Sequence, residues 1–216
     1  NWGYNLANSV QVNKVENPTI RNFEIRHEPN VSSRGVIHYK QNKNAVDFGY
    51  EFQIGQFYSQ TFGNRKGIKD TLQVTQNTNI QSGNIFAQWD YQINSNWNST
   101  VSLSANGYWT QYIGNEQNLT PRFAIVRKLG SHQRIIAKIA SGYSPPSIAE
   151  MRPSTGIINT NLKSEKGWNK EITWRGKYAF FDWDISAYQF DLDETIVIRR
   201  AADGSDYFVN AGKTTQ

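Results

Sequence analysis

The chain contains no cysteine, which removes both a disulfide framework and a thiolate metal site. No stretch approaches the roughly 18 consecutive apolar residues that a membrane helix needs, so insertion as a helix is excluded. No charged-then-apolar leader opens the chain at Asn1. Hydrophobic residues make up only 38% of the 216 positions, too few for a thick dry core. The net charge of +5 comes from 23 Lys and Arg that are scattered, the longest basic runs being pairs such as Arg65-Lys66 and Arg199-Arg200. Charge spread in this way describes a solvated face, and no nucleic-acid partner is expected from it.

Enzyme chemistry is also without support. The only histidines are His27, His38 and His132, none beside a recognisable nucleophile or base. Asp182 with Asp184, and Asp191 with Asp193, place carboxylates at period two, a spacing that could serve glycoside hydrolysis or a hard cation. Neither pair has the glycine-containing spacing of a calcium loop, and no phosphate-cradling glycine loop, zinc spacing or nucleotide fingerprint occurs. No catalytic, cofactor-binding or metal-binding residue is assigned, and no cofactor is expected.

What the chain has in quantity is aromatic residues, 13% of the total, interleaved with Asn, Gln, Ser and Thr. The dominant pattern is period two, the signature of strands whose successive side chains point to opposite faces. Val46, Phe48, Tyr50, Phe52 and Ile54 share one face, against Asp47, Gly49, Glu51, Gln53 and Gly55. Ile85, Ala87, Trp89, Tyr91 and Ile93 repeat it, with Phe86 the one exception on the wet side. Trp97, Val101, Leu103, Ala105 and Trp109 repeat it again, after a tight hairpin at Asn94-Ser95-Asn96. Further strands are expected near 21–28, 31–40, 119–129, 133–143, 168–178, 181–198 and 206–214, with a single helical turn around Ser147 to Arg152.

Short and long connections are expected to alternate. The long ones are 59–83 and 144–167, and the short ones include 41–45, 94–96, Gly130 and Ala179-Phe180. Outer-membrane barrels have this parity, because periplasmic turns are short and extracellular loops long, whereas a sandwich has no reason to adopt it. Segments 46–58 and 97–112 also exceed the 9–11 residues of a tilted spanning strand. The fold class is therefore all-β, with antiparallel up-and-down strands forming part of a transmembrane β-barrel. Trp89, Trp97, Trp109 and Trp183 fall toward strand ends or outward positions, as rings at headgroup level would; ordinary sandwich core positions fit them equally well.

Three segments resemble the barrel of TonB-dependent receptors, in particular the iron-complex and siderophore branch. Ser141-Gly142-Tyr143-Ser144-Pro145-Pro146-Ser147, continuing to Ser154, is similar to the family's aromatic-x-x-Pro-Ser stretch at a strand exit. Leu162-Lys163-Ser164-Glu165-Lys166, followed by Glu171, resembles its Leu-Lys-x-Glu-Lys run, and Asn210-Ala211-Gly212 its Asn-Ala-Gly signature. Their order and spacing match too, with the hairpin of 168–198 between the second and third. Pro145 and Pro146 should end ladder pairing, and Gly212 should permit a bend. Glu171 shares a face with Asn169, Thr173, Arg175 and Lys177, the lumen side in a barrel.

The resemblance implies a bacterial outer-membrane location and a role as part of a receptor for active uptake of a scarce solute, a ferric siderophore or other iron complex. It implies three partners: outer-membrane lipid, the ferric chelate, and the TonB energy-coupling complex, contacted through a part of the parent absent from 1–216. Such receptors have about 22 strands around a plug; residues 1–216 are expected to supply roughly ten strands and no plug domain. Loops 59–83 and 144–167 are the candidate ligand contacts, the first with Arg65, Lys66 and Lys69, although no individual ligand-binding residue is assigned. The alternatives are a soluble or secreted β-sandwich that binds carbohydrate, and a passive porin.

Overall fold

In the computed structural model, described for residues 1–19, 22–151, 159–202, 204 and 206–216, the chain is a meander of long antiparallel strands. They are β1 (Trp2–Pro18), β2 (Asn22–Gln41), β3 (Asn44–Arg65), β4 (Ile68–Gln92), β5 (Trp97–Thr110), β6 (Gly114–Leu129) and β7 (Gln133–Ser144). A short helix α1 (Ile148–Met151) precedes β8 (Glu165–Tyr178), β9 (Phe181–Asp193), β10 (Ile196–Arg200), β11 (Asp206–Asn210) and β12 (Thr214–Thr215). One ten-stranded sheet runs in the order β1 to β9 and then β12, while β10 and β11 form a separate hairpin. The all-β, up-and-down expectation holds.

The register shows what the alternation accomplishes. Tyr4, Ile37, Phe48, Ala87, Leu103 and Pro121 are successive partners across six strands and form one apolar row. One residue along, Gly3, His38, Asp47, Gln88, Ser102, Arg122 and Ala140 form a wetter row on the opposite face. In a water-soluble sheet the apolar face would be covered. Here Tyr4 is 83% exposed, Phe48 54%, Ile85 57% and Leu103 49%. Along β3 the outward positions from Asn44 to Asn64 carry no charge, whereas Asp47 and Glu51 face inward. The sheet is built with its greasy face outward, which only a lipid solvent rewards.

Several boundaries differ from the sequence-based expectation. Residues 59–83 are not a loop: β3 and β4 continue through them and meet at a two-residue turn, Lys66-Gly67. Both turn residues have positive φ, 55° and 88°, the geometry of a type I′ hairpin. With 22 residues, β3 is about twice the length a tilted span requires, so its outer half rises beyond the membrane. There polar residues occur on both faces, buried ones such as Ser59 and Thr61 included, and the alternation fades. The strands expected at 21–28 and 31–40 are one continuous strand, β2, with Arg21 outside the described residues.

The strand expected at 181–198 breaks at Glu194, which has a φ of 57°, and the strand expected at 206–214 stops at Asn210. Gly212 takes a φ of 84°, the bend expected there. Finally, β1 is not among the expected strands, although Trp2, Tyr4, Leu6, Val10 and Val12 alternate with smaller and polar residues along it.

Pro121 shapes the outer side of the sheet. The ladder between β6 and β7 stops at Arg122 and Ala140, and the next residue of β6, Pro121, has no amide hydrogen to extend it. Pro145 and Pro146 end β7 in the same way, as expected. The connection that follows packs above the sheet: Ile148, Met151 and Leu162 are buried against Phe57, Ile80, Tyr112, Ile113 and Phe208. This small core is the only buried apolar cluster among the described residues.

Candidate lumen wall and outer cap

The inward face carries the polar chemistry. A hollow of about 480 Å³ opens on it, lined among others by Ser9, Ser32, Arg34, Glu51, Asn84 and Tyr143. Arg34 is 3.2 Å from Glu51, and Asn84 donates to the same carboxylate at 3.1 Å. Lower on the wall, His38 Nδ1 lies 2.8 Å from Asp47, and Asn5 reaches the other ring nitrogen at 2.9 Å. These groups satisfy one another and present amides and hydroxyls to the interior. Such a surface can hold water or a hydrogen-bonding solute, and it has no poised nucleophile.

Glu171 lies where the sequence placed it, on the inward face. Lys138 of the neighbouring strand is 2.8 Å away, and Thr173 donates to it at 3.0 Å. Arg175 pairs with Asp184 and Lys177 with Asp182, so these carboxylates answer cations across the strand pair. Asp191 is held by Lys170 at 2.8 Å and by Thr215 at 3.0 Å. No cluster of three or more His, Asp or Glu fit for a metal occurs among the described residues. His27 stands beside Tyr58, and His132 bonds with Ser131 in the β6–β7 turn.

The outer cap brings the second and third motif segments together. The Asn210 side chain accepts from the Lys163 N–H at 2.9 Å and donates to the carbonyls of Lys163 and Glu194 at 2.9 and 2.7 Å. Glu165 accepts from the Ile196 N–H at 2.7 Å, and Lys163 Nζ reaches Glu194 at 3.2 Å. The first segment enters through α1, where Ser147 and Glu150 form a reciprocal capping box. Its single turn spans Ile148–Met151, while Arg152, Pro153 and Ser154 lie outside the described residues. Ser164 bonds Glu116 and so ties the cap to β6.

The two candidate ligand segments therefore differ in kind. Within 144–167, the described residues Ile148, Met151 and Leu162 pack over the inner face, and Glu165 to Gly167 already belong to β8. In the other segment, Arg65 pairs with Asp70 at 2.7 Å, and Lys69 lies 4.4 Å from the centre of the Phe62 ring. That leaves Lys66 at the exposed hairpin tip.

Aromatic rings gather near the short turns. Trp174 and Trp183 meet edge to face at 5.4 Å, Trp2 packs on Tyr39 at 4.5 Å, and Trp97 lies 5.2 Å from the Arg127 guanidinium. Trp89 and Trp109 are on the outward face of their strands. Trp2 and Trp174, absent from the sequence expectation, join this belt; both show the outward parity of their neighbours and could have been placed by it.

Across all 216 residues the chain matches the family described as TonB dependent receptor-like, beta-barrel. It belongs to that family. Among curated proteins it is similar to the vitamin B12 transporter BtuB of Photobacterium profundum, 23% identical over 193 residues, which cover 87% of this chain and 29% of that protein. Among solved structures, the copper transporter OprC superposes with a TM-score of 0.70 at 10% identity, covering 96% of this chain and 38% of that one. The ferripyoverdine receptor of the outer membrane of Pseudomonas aeruginosa also gives 0.70 at 10% identity, covering 91% and 31%. The ferric yersiniabactin uptake receptor FyuA from Yersinia pestis gives 0.66 at 13%, covering 99% and 36%.

These structural likenesses establish the fold, and this receptor-barrel chain spans about a third of the length of each relative. Family membership places it in the bacterial outer membrane. The sandwich alternative is thereby set aside.

Proposed function

We propose that residues 1–216 form part of the barrel wall of a receptor that takes up a ferric siderophore or another iron complex, driven through the TonB energy-coupling complex. The observation that carries this reading is the family match along the whole chain, joined to a sheet that is greasy outward and polar inward. In this reading the chain is wall throughout, and the plug and the TonB-contacting segment belong to other parts of such a receptor. The hollow beside Arg34, Glu51 and Asn84, together with the cap built on Ile148, Met151 and Leu162, forms the solute-facing surface. Its lining of amides and hydroxyls suits a large chelate with many hydrogen-bonding groups.

A cobalamin cargo is the second reading, since the curated relative is named as a vitamin B12 transporter. The test is uptake by cells with the gene deleted and restored, offered radiolabelled ferric siderophores and cobalamin separately, with and without a functional TonB. TonB-dependent loss of one ferric chelate supports the iron reading. Loss of cobalamin alone, or uptake indifferent to TonB, overturns it.

A further inference from the structure

At the short-turn end of the inner face, the register sets like charges side by side. Lys128 of β6 is the partner of Arg134 of β7, which is the partner of Arg175 of β8, which is the partner of Asp184 of β9. Three cations thus stand in one row against one carboxylate. Adjacent strands lie about 4.8 Å apart, so their side chains are neighbours and like charges directly opposite destabilise a sheet. Asp184 is committed to Arg175, the Arg175 Nε to carboxylate distance being 2.6 Å, and Asp182 in the next row is committed to Lys177. Among the described residues neither Lys128 nor Arg134 has a carboxylate partner. Both are exposed to a hollow of about 550 Å³ that His132, Lys177 and the ion-paired Asp182 and Asp184 also line.

We infer that this hollow is a binding site for a small oxyanion, a phosphate or carboxylate group, held between Lys128 and Arg134. The Arg134 guanidinium offers a planar fork that matches two oxyanion oxygens, and the Lys128 ammonium adds a point charge from the adjacent strand. Arg175 is kept in place by Asp184 and adds positive potential behind the pair. Elsewhere on the same wall Arg34 is matched by Glu51 and Lys138 by Glu171, while Lys40 and Arg122 have the uncharged strand partners Ala45 and Ala140. What sets Lys128 and Arg134 apart is that the two unmatched cations are strand partners of each other. An anion seated there relieves the repulsion that the register imposes.

The test uses the full protein in detergent, with inorganic phosphate titrated against chloride at constant ionic strength and binding read from the phosphorus NMR line width. Saturable broadening is expected, weakened about tenfold or more in K128Q/R134Q. Acetate should compete if carboxylates share the site. K40Q serves as the control, removing a cation from the same face near a short turn, where the β3 partner is the uncharged Ala45. It should bind as the wild type does. The charge-conserving K128R should also retain binding, which keeps the comparison open if the double variant folds poorly. Absence of saturable binding in the wild type overturns the inference, as does an equal loss in K40Q, or a loss in K128R as large as in the double variant. Each of these outcomes leaves the uptake assay, and the function it tests, untouched.

Discussion

Asn210 holds Lys163 by both of its backbone polar groups, accepting from the N–H and donating to the carbonyl, each at 2.9 Å. Two motif segments 47 residues apart in sequence are thereby fastened to each other. Replacing Asn210 with Ala removes these bonds and the one to Glu194, at an expected cost of about 1–3 kcal/mol. The loss should be local. Hydrogen exchange at residues 162–164 and proteolysis between 145 and 164 should both rise, while the β2–β5 ladders stay protected. Unchanged exchange at Lys163 in the Asn210→Ala variant would contradict the clasp.

Lys138 and Glu171 should show energetic coupling. Their side chains are 30% and 21% exposed, between the surface and buried regimes. A double-mutant cycle with Lys138→Met and Glu171→Gln is expected to give about 1 kcal/mol of coupling, reduced by salt. The measurement is reversible unfolding in detergent or bilayer, and additivity of the two single changes would refute the pairing.

Close approach between strands makes one glycine intolerant of a side chain. A Cβ on Gly49 would lie 2.6 Å from the Gly35 carbonyl oxygen and 2.6 Å from the Phe86 ring, and a backbone oxygen cannot swing away. Gly49→Val should cost several kcal/mol, more than ordinary overpacking of about 1–3 kcal/mol. Gly142→Ala, with nothing within 4 Å, should be close to neutral. Folded yield, judged by heat-modifiable gel mobility, should separate the two.

Charge on the outward face should be penalised by lipid. Phe48→Lys is expected to cost about 2–4 kcal/mol if Phe48 lies near the bilayer midplane, whereas Gln53→Lys, inward on the same strand, should cost less than about 1 kcal/mol. Folding into vesicles of defined lipid measures both. Equal penalties would mean that the two faces see the same solvent.

Much of this was readable from the sequence where lipid and water divide the two faces of a strand. Within the span, Val46 to Ile54 alternate because one side meets hydrocarbon, and both the strand and its face follow. Above the membrane that rule lapses. Ser59, Gln60, Gln76 and Asn77 are polar on either face, so a hairpin there looks like a loop until pairing is known. Its turn is Lys66-Gly67 and lacks the Asn or Asp that usually announces a type I′ geometry. The motif segments were recognisable singly, but their meeting at Asn210 and Glu165 depends on the break at Glu194 and the bend at Gly212, which no local pattern reveals. The row of Lys128, Arg134 and Arg175 is likewise a product of register, since these residues lie on three strands.

The outward-greasy, inward-polar sheet is the central claim, and the absence of cysteine makes it directly measurable. Single cysteines at positions 45 to 54 other than the sterically closed Gly49, spin-labelled in the protein reconstituted into outer-membrane lipid, report accessibility to oxygen and to a water-soluble nickel reagent. Oxygen access should peak at 46, 48, 50, 52 and 54, and nickel access at 45, 47, 51 and 53. Accessibilities without a two-residue period, or with the two reagents exchanged between the faces, would contradict the account.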